Sequence, residues 1–283
     1  MSDGTGIKFS IIVVSLNPGI RLAETVDSIL MQSHKNYEVI IKDAGSTDSS
    51  LKFFLKRKAV AGLDNFKVIQ KRDAGIYDGM NQALDEVTGD YIIFLNCGDN
   101  FHGKHVLSTF AANIRRAEAD KGPAQVFYGI RYSDRYACME YPAPEINGFT
   151  CYRNIPCHQT CFYSADLFKD HKYRTEYVVR ADYEHFLWCY YVKKATFTYI
   201  PACVANYEGF GFSETEENKK RSKKEREEII RQYMTRQELF RYRLYMMLSL
   251  APLRRFLAEN ERTSVLYHNF ITKLYNRKNK RKS

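Results

Sequence analysis

Four short polar clusters carry the residue types needed to hold and transform a charged, oxygen-rich ligand. Asn96-Cys97-Gly98-Asp99 follows the apolar run Tyr91 to Leu95 and sets a carboxylate in a glycine-assisted turn. Mg²⁺ and Mn²⁺ prefer oxygen ligands and commonly combine one or two carboxylates with substrate phosphates. Arg72 to Asn81 packs charges, two glycines, an aromatic and an amide into one short stretch. A loop of that kind can present backbone amides and a helix N-terminus to a phosphate. Asp43-Ala44-Gly45-Ser46-Thr47-Asp48 and Ser15-Leu16-Asn17 close two further apolar runs. Alone, the first cluster reads as an ordinary Gly-Asp turn, and a helix cap at Asp78 explains one residue of the second. Their recurrence along the chain asks for a common cause.

Such clusters need a scaffold that gathers them. Phe9 to Val14 is a β-branched run bounded by Asn17-Pro18-Gly19 and reads as a buried strand. Leu22 to Gln32 spaces Leu22, Val26, Ile29 and Leu30 as a helix does. Tyr37 to Ile41, Phe66 to Gln70 and Tyr91 to Leu95 read as further strands, with helices over Ser49 to Lys58 and Gly79 to Val87. This alternation predicts an α/β fold, a parallel sheet with helices on both faces. Ligands of such sheets bind at the carboxyl ends of the strands, so the four clusters are expected along one edge. Farther on, Val126 to Tyr132, Ala137 to Tyr141 and Thr196 to Ile200 read as strands and Arg180 to Tyr191 as a helix. They would complete the sheet and the second side of a cleft. Glu214 to Leu250 reads as one or two charge-rich helices.

The combination Phe-Ser-Ile-Ile-Val-Val-Ser-Leu-Asn, Asp-Ala-Gly-Ser-Thr-Asp-Ser-Ser, Asp-Ala-Gly-Ile-Tyr-Asp-Gly-Met-Asn and Gly-Asp-Tyr-Ile-Ile-Phe-Leu-Asn-Cys-Gly-Asp resembles family 2 glycosyltransferases. It is most similar to the bacterial enzymes that build capsule, exopolysaccharide or O-antigen units. The resemblance spans Phe9 to Ser213 and is densest before Phe101. It implies a GT-A fold, a Rossmann-like, mostly parallel sheet flanked by helices, here followed by a basic helical extension. It also implies inverting transfer of a sugar from a nucleoside diphosphate, UDP by preference, to an acceptor hydroxyl on a lipid-linked or growing surface-polysaccharide glycan. A non-catalytic nucleotide-sugar-binding protein would share the same motifs.

Carried over by position, Ser15 and Asn17 should help bind the nucleotide, and Asp43 the base or ribose. Asp73 should line the nucleotide pocket, with Asp78 near the sugar or its supporting loop. Asp99 matches the last acid of the family's DxD-type element and should hold Mn²⁺ or Mg²⁺. Asn96 and Gly98 stand where acids are common, so the metal rests mainly on Asp99. Pro156-Cys157-His158-Gln159-Thr160 resembles a His-Gln element, which makes His158 a donor-side candidate beside a buried, backbone-satisfied histidine as the plain alternative. Arg180-Ala181-Asp182-Tyr183-Glu184 matches the region of the general base, Asp182 first and Glu184 in reserve. Tyr207 to Ser213 resembles a glycine-rich loop near the donor phosphates, suited to a mobile lid.

Composition bounds the rest. The chain has 283 residues, 45% hydrophobic and 14% aromatic, enough for a sizeable core and unlike a collagen or a disordered chain. Net charge is +10, yet residues 219–283 hold nineteen Lys or Arg against six Glu, which leaves residues 1–218 at −3. The expected organisation is a catalytic domain over 1–218 and a basic amphipathic extension over 219–283. Aromatic and aliphatic residues beside arginines between Leu239 and Arg255 suit an anionic membrane surface; packing on the body or on a second copy in a homo-oligomer is the alternative. The longest apolar candidate, Leu244 to Leu253, contains Pro252 and is too short to span a bilayer. Seven cysteines without a CxxC pair, and the short apolar run Ile11 to Val14, predict reduced thiols in a cytoplasmic protein; the basic tail adds a peripheral place at the inner face of the cytoplasmic membrane. Nucleic-acid binding through the basic tail fits the charge, but the acidic body carries no nucleic-acid module. A nucleotidyltransferase would show a glycine-rich signature with a basic residue near the N-terminus, and none is present.

Overall fold

The computed structural model describes residues 6–118, 125–207, 209 and 215–248. The first half follows the expected alternation: β1 Phe9–Ser15, α1 Arg21–Leu30, β2 Tyr37–Asp43, α2 Ser50–Ala61, β3 Phe66–Gln70, α3 Ile76–Leu84 and β4 Tyr91–Phe94. These strands lie in the order β3-β2-β1-β4 and all run parallel. Ile12 sits opposite Ile40 on one side and Phe94 on the other. Side chains alternate across a strand, so β1 serves two cores. Ile11 and Val13 join Val26, Ile29, Leu107 and Phe110, while Ile12 joins Met80, Tyr128, Tyr163 and Phe186. Each such side chain, fully buried, contributes roughly 1.5–3 kcal/mol. Burial on both faces is why these strands read as continuous apolar runs.

The second half adds β5 Asn100–Phe101, α4 Val106–Glu118, β6 Gln125–Ser133, β7 Cys138–Glu140, α5 Gly148–Arg153, β8 Cys161–Ser164, α6 Ala165–Asp170, α7 Ala181–Tyr191 and β9 Thr196–Tyr207. A short 3₁₀ turn, His158–Thr160, leads into β8. The sheet continues from β4 through β8, β6 and β9 to β5. β8 is antiparallel to β4 and to β6, so β6 and its parallel neighbour β9 regain the direction of the first four strands. β5, β8, α4, α5 and α6 are additions to the elements expected from the sequence, and α3 starts at Ile76 rather than Gly79. A glycine in the first turn of α3 masks its start.

The C-terminal stretch forms α8 Glu216–Tyr233 and α9 Arg236–Leu248. The expected 218/219 boundary falls inside α8, and that helix packs on the body. Ile229 and Ile230 are buried, and Arg226 donates to the Tyr152 carbonyl. α9 buries Leu239 and Tyr242, the latter against Phe149 and Tyr152. The described part of the extension is thus a wall of the body; residues 249–283 lie outside the described residues.

Candidate active site

The polar clusters do follow the carboxyl ends of β1, β2, β3 and β4, and most of their side chains hold one another. Ser15 pairs with Asp43 in the β1–β2 register. The Asp43 carboxylate is buried and accepts the backbone N–H groups of Gly45 (3.0 Å) and Ser46 (2.8 Å), and the hydroxyls of Ser46 and Ser15. Asn17, at φ +49°, accepts from the Thr47 N–H at 2.8 Å, and its own N–H donates to the Ser46 hydroxyl at 2.8 Å. The first two loops are therefore stapled into one unit.

The third loop is built around an ion pair. Lys42, with a fully buried side chain, reaches Asp73 at 2.7 Å and also donates to the Lys71 carbonyl. A buried ammonium needs that company. Asp73 also accepts the Gly75 N–H, and a Cβ on Gly79 would sit 2.9 Å from the Asp73 carboxylate and push it from this position. Asp78 accepts the Ala74 N–H at 2.9 Å and a Gln82 amide proton. It closes the first turn of α3.

At the end of β4, Gly98 takes φ +106°, a conformation open to glycine, and presents Asp99. Thr25 accepts the Gly98 N–H and donates to the Asp99 carbonyl. The nearly buried Asp99 carboxylate accepts from Gln159 at 2.9 Å. Behind Gln159 stand Cys157, which donates to its amide oxygen, and Arg131, paired with Glu140 and donating to the Cys157 sulfur. Burial pushes the Cys97 thiol up to about 12 and raises Cys157 as well, so both stay protonated. Asn96 Oδ1 is buried and has no hydrogen-bond partner among the described residues.

Asp182 lies at the start of α7, with the buried Tyr77 hydroxyl of α3 at 2.8 Å from its carboxylate and 3.0 Å from the Val179 carbonyl. His158 packs 5.9 Å from Phe94. Burial lowers its pKa, opposed by the negative charge of Asp182, so the ring is neutral near pH 7. Glu184 has a different fate. It is fully buried among His171, Arg174 and the Tyr233 hydroxyl. These partners consume its carboxylate in joining α7 to α8, and the reserve assignment as base is set aside. Lys42, Tyr77 and Gln159 complete the site and were not among the sequence candidates. Lys42 falls one residue past the run Tyr37 to Ile41 that reads as a strand, and no local pattern shows that its side chain turns inward to a partner 31 positions away.

The donor set bears on a metal. Among the described residues no group of three His, Cys, Asp or Glu side chains could hold one. Asp99 and the orphaned Asn96 oxygen are hard oxygen donors, which fit a Mg²⁺ or Mn²⁺ ion whose shell is completed by phosphate oxygens.

A parallel sheet that turns antiparallel after β4, with these loops on its carboxyl edge, defines a GT-A glycosyltransferase fold. Residues 10–172 match the family described as "Glycosyl transferase family 2", and the chain belongs to that family. A "PGL/p-HBAD biosynthesis glycosyltransferase" of Mycobacterium tuberculosis is 31% identical over 205 residues, 72% of this chain and 77% of the relative. The "putative glycosyltransferase EpsE" of Bacillus subtilis is 40% identical over 89 residues, 31% of this chain and 32% of the relative. Among solved structures, S. aureus TarS 1–349 in complex with UDP superposes with a TM-score of 0.64 at 19% identity, covering 90% of this chain and 76% of that one. The match to the longer TarS chain takes in 37% of its length. The mannosyltransferase PcManGT from Pyrobaculum calidifontis, in complex with GDP-Man and Mn²⁺, gives a TM-score of 0.55 at 15% identity, covering 70% and 56%. At these identities the structural likeness concerns the fold.

Proposed function

We propose that this glycosyltransferase moves a sugar from UDP to an acceptor hydroxyl with inversion, using Asp182 as general base. The observation that carries the reading is the contrast between carboxylates at the strand ends. Asp43 and Asp78 are engaged by their own loops and Asp73 by Lys42 of β2, whereas Asp182 stands at the start of α7, oriented by one phenol. The acceptor oxygen attacks the anomeric carbon while the bond from that carbon to the diphosphate oxygen breaks. The acceptor proton passes to Asp182 and the electron pair leaves with UDP. Loops one to three supply the nucleotide side through Ser15, Asn17, Asp43 and Asp73. Asp78 keeps the third loop in shape, and neutral His158 serves the sugar side. A Mn²⁺ or Mg²⁺ ion held by Asp99 and Asn96 would neutralise charge on the departing diphosphate.

The UDP preference draws on the TarS complexes with UDP and UDP-GlcNAc, which share the fold. A glycan or lipid-linked acceptor at a membrane face draws on α9. Its inner face is buried through Leu239 and Tyr242, while Phe240, Leu244, Met247 and Leu248 are exposed at i, i+4, i+7 and i+8, beside exposed Arg236 and Arg243. An apolar stripe flanked by arginines fits an anionic bilayer surface. No helix among the described residues is long and apolar enough to cross a membrane. The glycine-rich lid assigned to Tyr207–Ser213 falls mostly outside the described residues; within it, Tyr207 lies under the Arg131 guanidinium, 4.5 Å from the ring centre.

Thermal unfolding with UDP, GDP and UDP-sugars, in Mn²⁺, Mg²⁺ or EDTA, tests the donor side. A ligand of the folded state alone adds about 2.7 kcal/mol of stability at a hundred times its Kd. The expected outcome is a metal-dependent rise in Tm with UDP. No rise with any nucleotide at millimolar concentration would contradict the reading.

A further inference from the structure

α8 is a solvated helix by composition, alternating Lys or Arg with Glu from Lys219 to Arg231. One carboxylate departs from that pattern. Glu225 is 7% exposed, on a buried stripe with Asn218, Ser222 and Ile229. Both of its oxygens are used: Oε1 accepts the Val178 N–H and Oε2 the Val179 and Arg180 N–H groups, each at 2.9 Å. One turn earlier, Ser222 accepts from Arg180 Nε at 2.7 Å. Residues 178–180 lead directly into α7, whose N-cap Arg180 makes no side-chain capping bond, and Asp182 is the second residue of that helix.

We infer that Glu225 is a positioning residue for Asp182, which makes α8 part of the catalytic apparatus. The inference rests on the reading of Asp182 as base. The peptides before α7 are held from two sides. Glu225 takes their N–H groups from behind, and the Tyr77 hydroxyl meets the Val179 carbonyl and the Asp182 carboxylate from the front. Three successive N–H donors converging on one point call for an acceptor with two oxygens, which a carboxylate supplies. A glutamine offers one oxygen and turns an NH₂ toward a donor, so the loop must shift. Displacement of a catalytic group by about 1 Å can cost on the order of 100-fold in rate.

The test compares Glu225→Gln, Asp182→Asn and Ile229→Val in the full chain, following UDP release from UDP-glucose, UDP-galactose and UDP-GlcNAc with water as the attacking hydroxyl, and with Tm and UDP affinity measured alongside. Glu225→Gln is expected to lower kcat by about 10- to 100-fold, with the UDP Kd unchanged and the acid limb of the kcat–pH profile displaced. Ile229→Val loosens the packing of α8 without touching Glu225 and should keep the wild-type kcat. Wild-type kcat in Glu225→Gln overturns the inference, as does an equal loss of kcat in Ile229→Val at a matched fall in Tm. An inactive Asp182→Asn beside a normal Glu225→Gln removes the inference alone. Turnover at the wild-type rate in Asp182→Asn, or none in the wild-type chain, removes the reading beneath it.

Discussion

Titratable side chains decide how this protein responds to pH, and His185 is the one with the largest leverage. It is fully buried on α7, stacked 4.1 Å from Phe168 and flanked by Trp188. Burial, aided by neighbouring His171, pushes its pKa down to about 3. In the unfolded chain the same ring takes a proton near pH 6.5. Between these values the unfolded state binds the extra proton, so stability rises with pH. His158 and His34 shift in the same direction, also through burial. Stability should therefore be full above about pH 6.5 and decline below it, His185 alone removing about 2 kcal/mol by pH 5. Replacing His185 by Phe keeps the stack and removes the titration. Urea unfolding at pH 7 and pH 5 should show a smaller loss in the variant than in the wild type; parallel losses would count against the assignment.

Elements show which parts of this structure were readable in the sequence. The strands β1, β2 and β4 were, because burial on both faces leaves largely apolar runs that end in polar clusters, and the edge strand β3 was legible from the alternation of Phe66, Val68 and Gln70 with Lys67 and Ile69. β8 was not: it is short, and it inserts between β4 and β6, a long-range pairing that no local pattern records. The residues that hold the site together were hidden for the same reason. Gln159 reaches Asp99 across sixty positions, Tyr77 reaches Asp182 across 105, and Glu225 resembles every other glutamate of a charged helix until the loop it holds is seen. Asp43 and Asp78 were visible as polar residues, but their part in shaping their own loops appears in three dimensions alone. α9 allows a separate test. Replacing Phe240 and Leu244 by Glu should weaken sedimentation with phosphatidylglycerol vesicles several-fold, since each removes exposed apolar area that would enter the bilayer and adds a charge of the lipid's sign. Tm should be unaffected, because both side chains are exposed. Equal vesicle binding by variant and wild type would contradict a membrane role for this face.

The molecule as a whole is a sheet that gathers polar loops on one edge, with a C-terminal helix pair sealing the side where the proposed base sits. The charge imbalance between residues 1–218 and 219–283 marks a basic extension, for which packing on the body was one of the two readings. α8 contributes buried isoleucines to the core around Tyr77, Phe186 and Tyr242, and its glutamate holds the loop before α7. Through α9 the described part of the extension packs on the body. The most direct measurement of the central claim is UDP release by the wild type and by Asp182→Asn under identical donor, acceptor and metal conditions. Removal of a positioned general base typically costs about 10²- to 10⁴-fold. The account predicts a loss of that order in kcat, with the UDP-induced rise in Tm retained; an Asp182→Asn enzyme that turns over at the wild-type rate would contradict it.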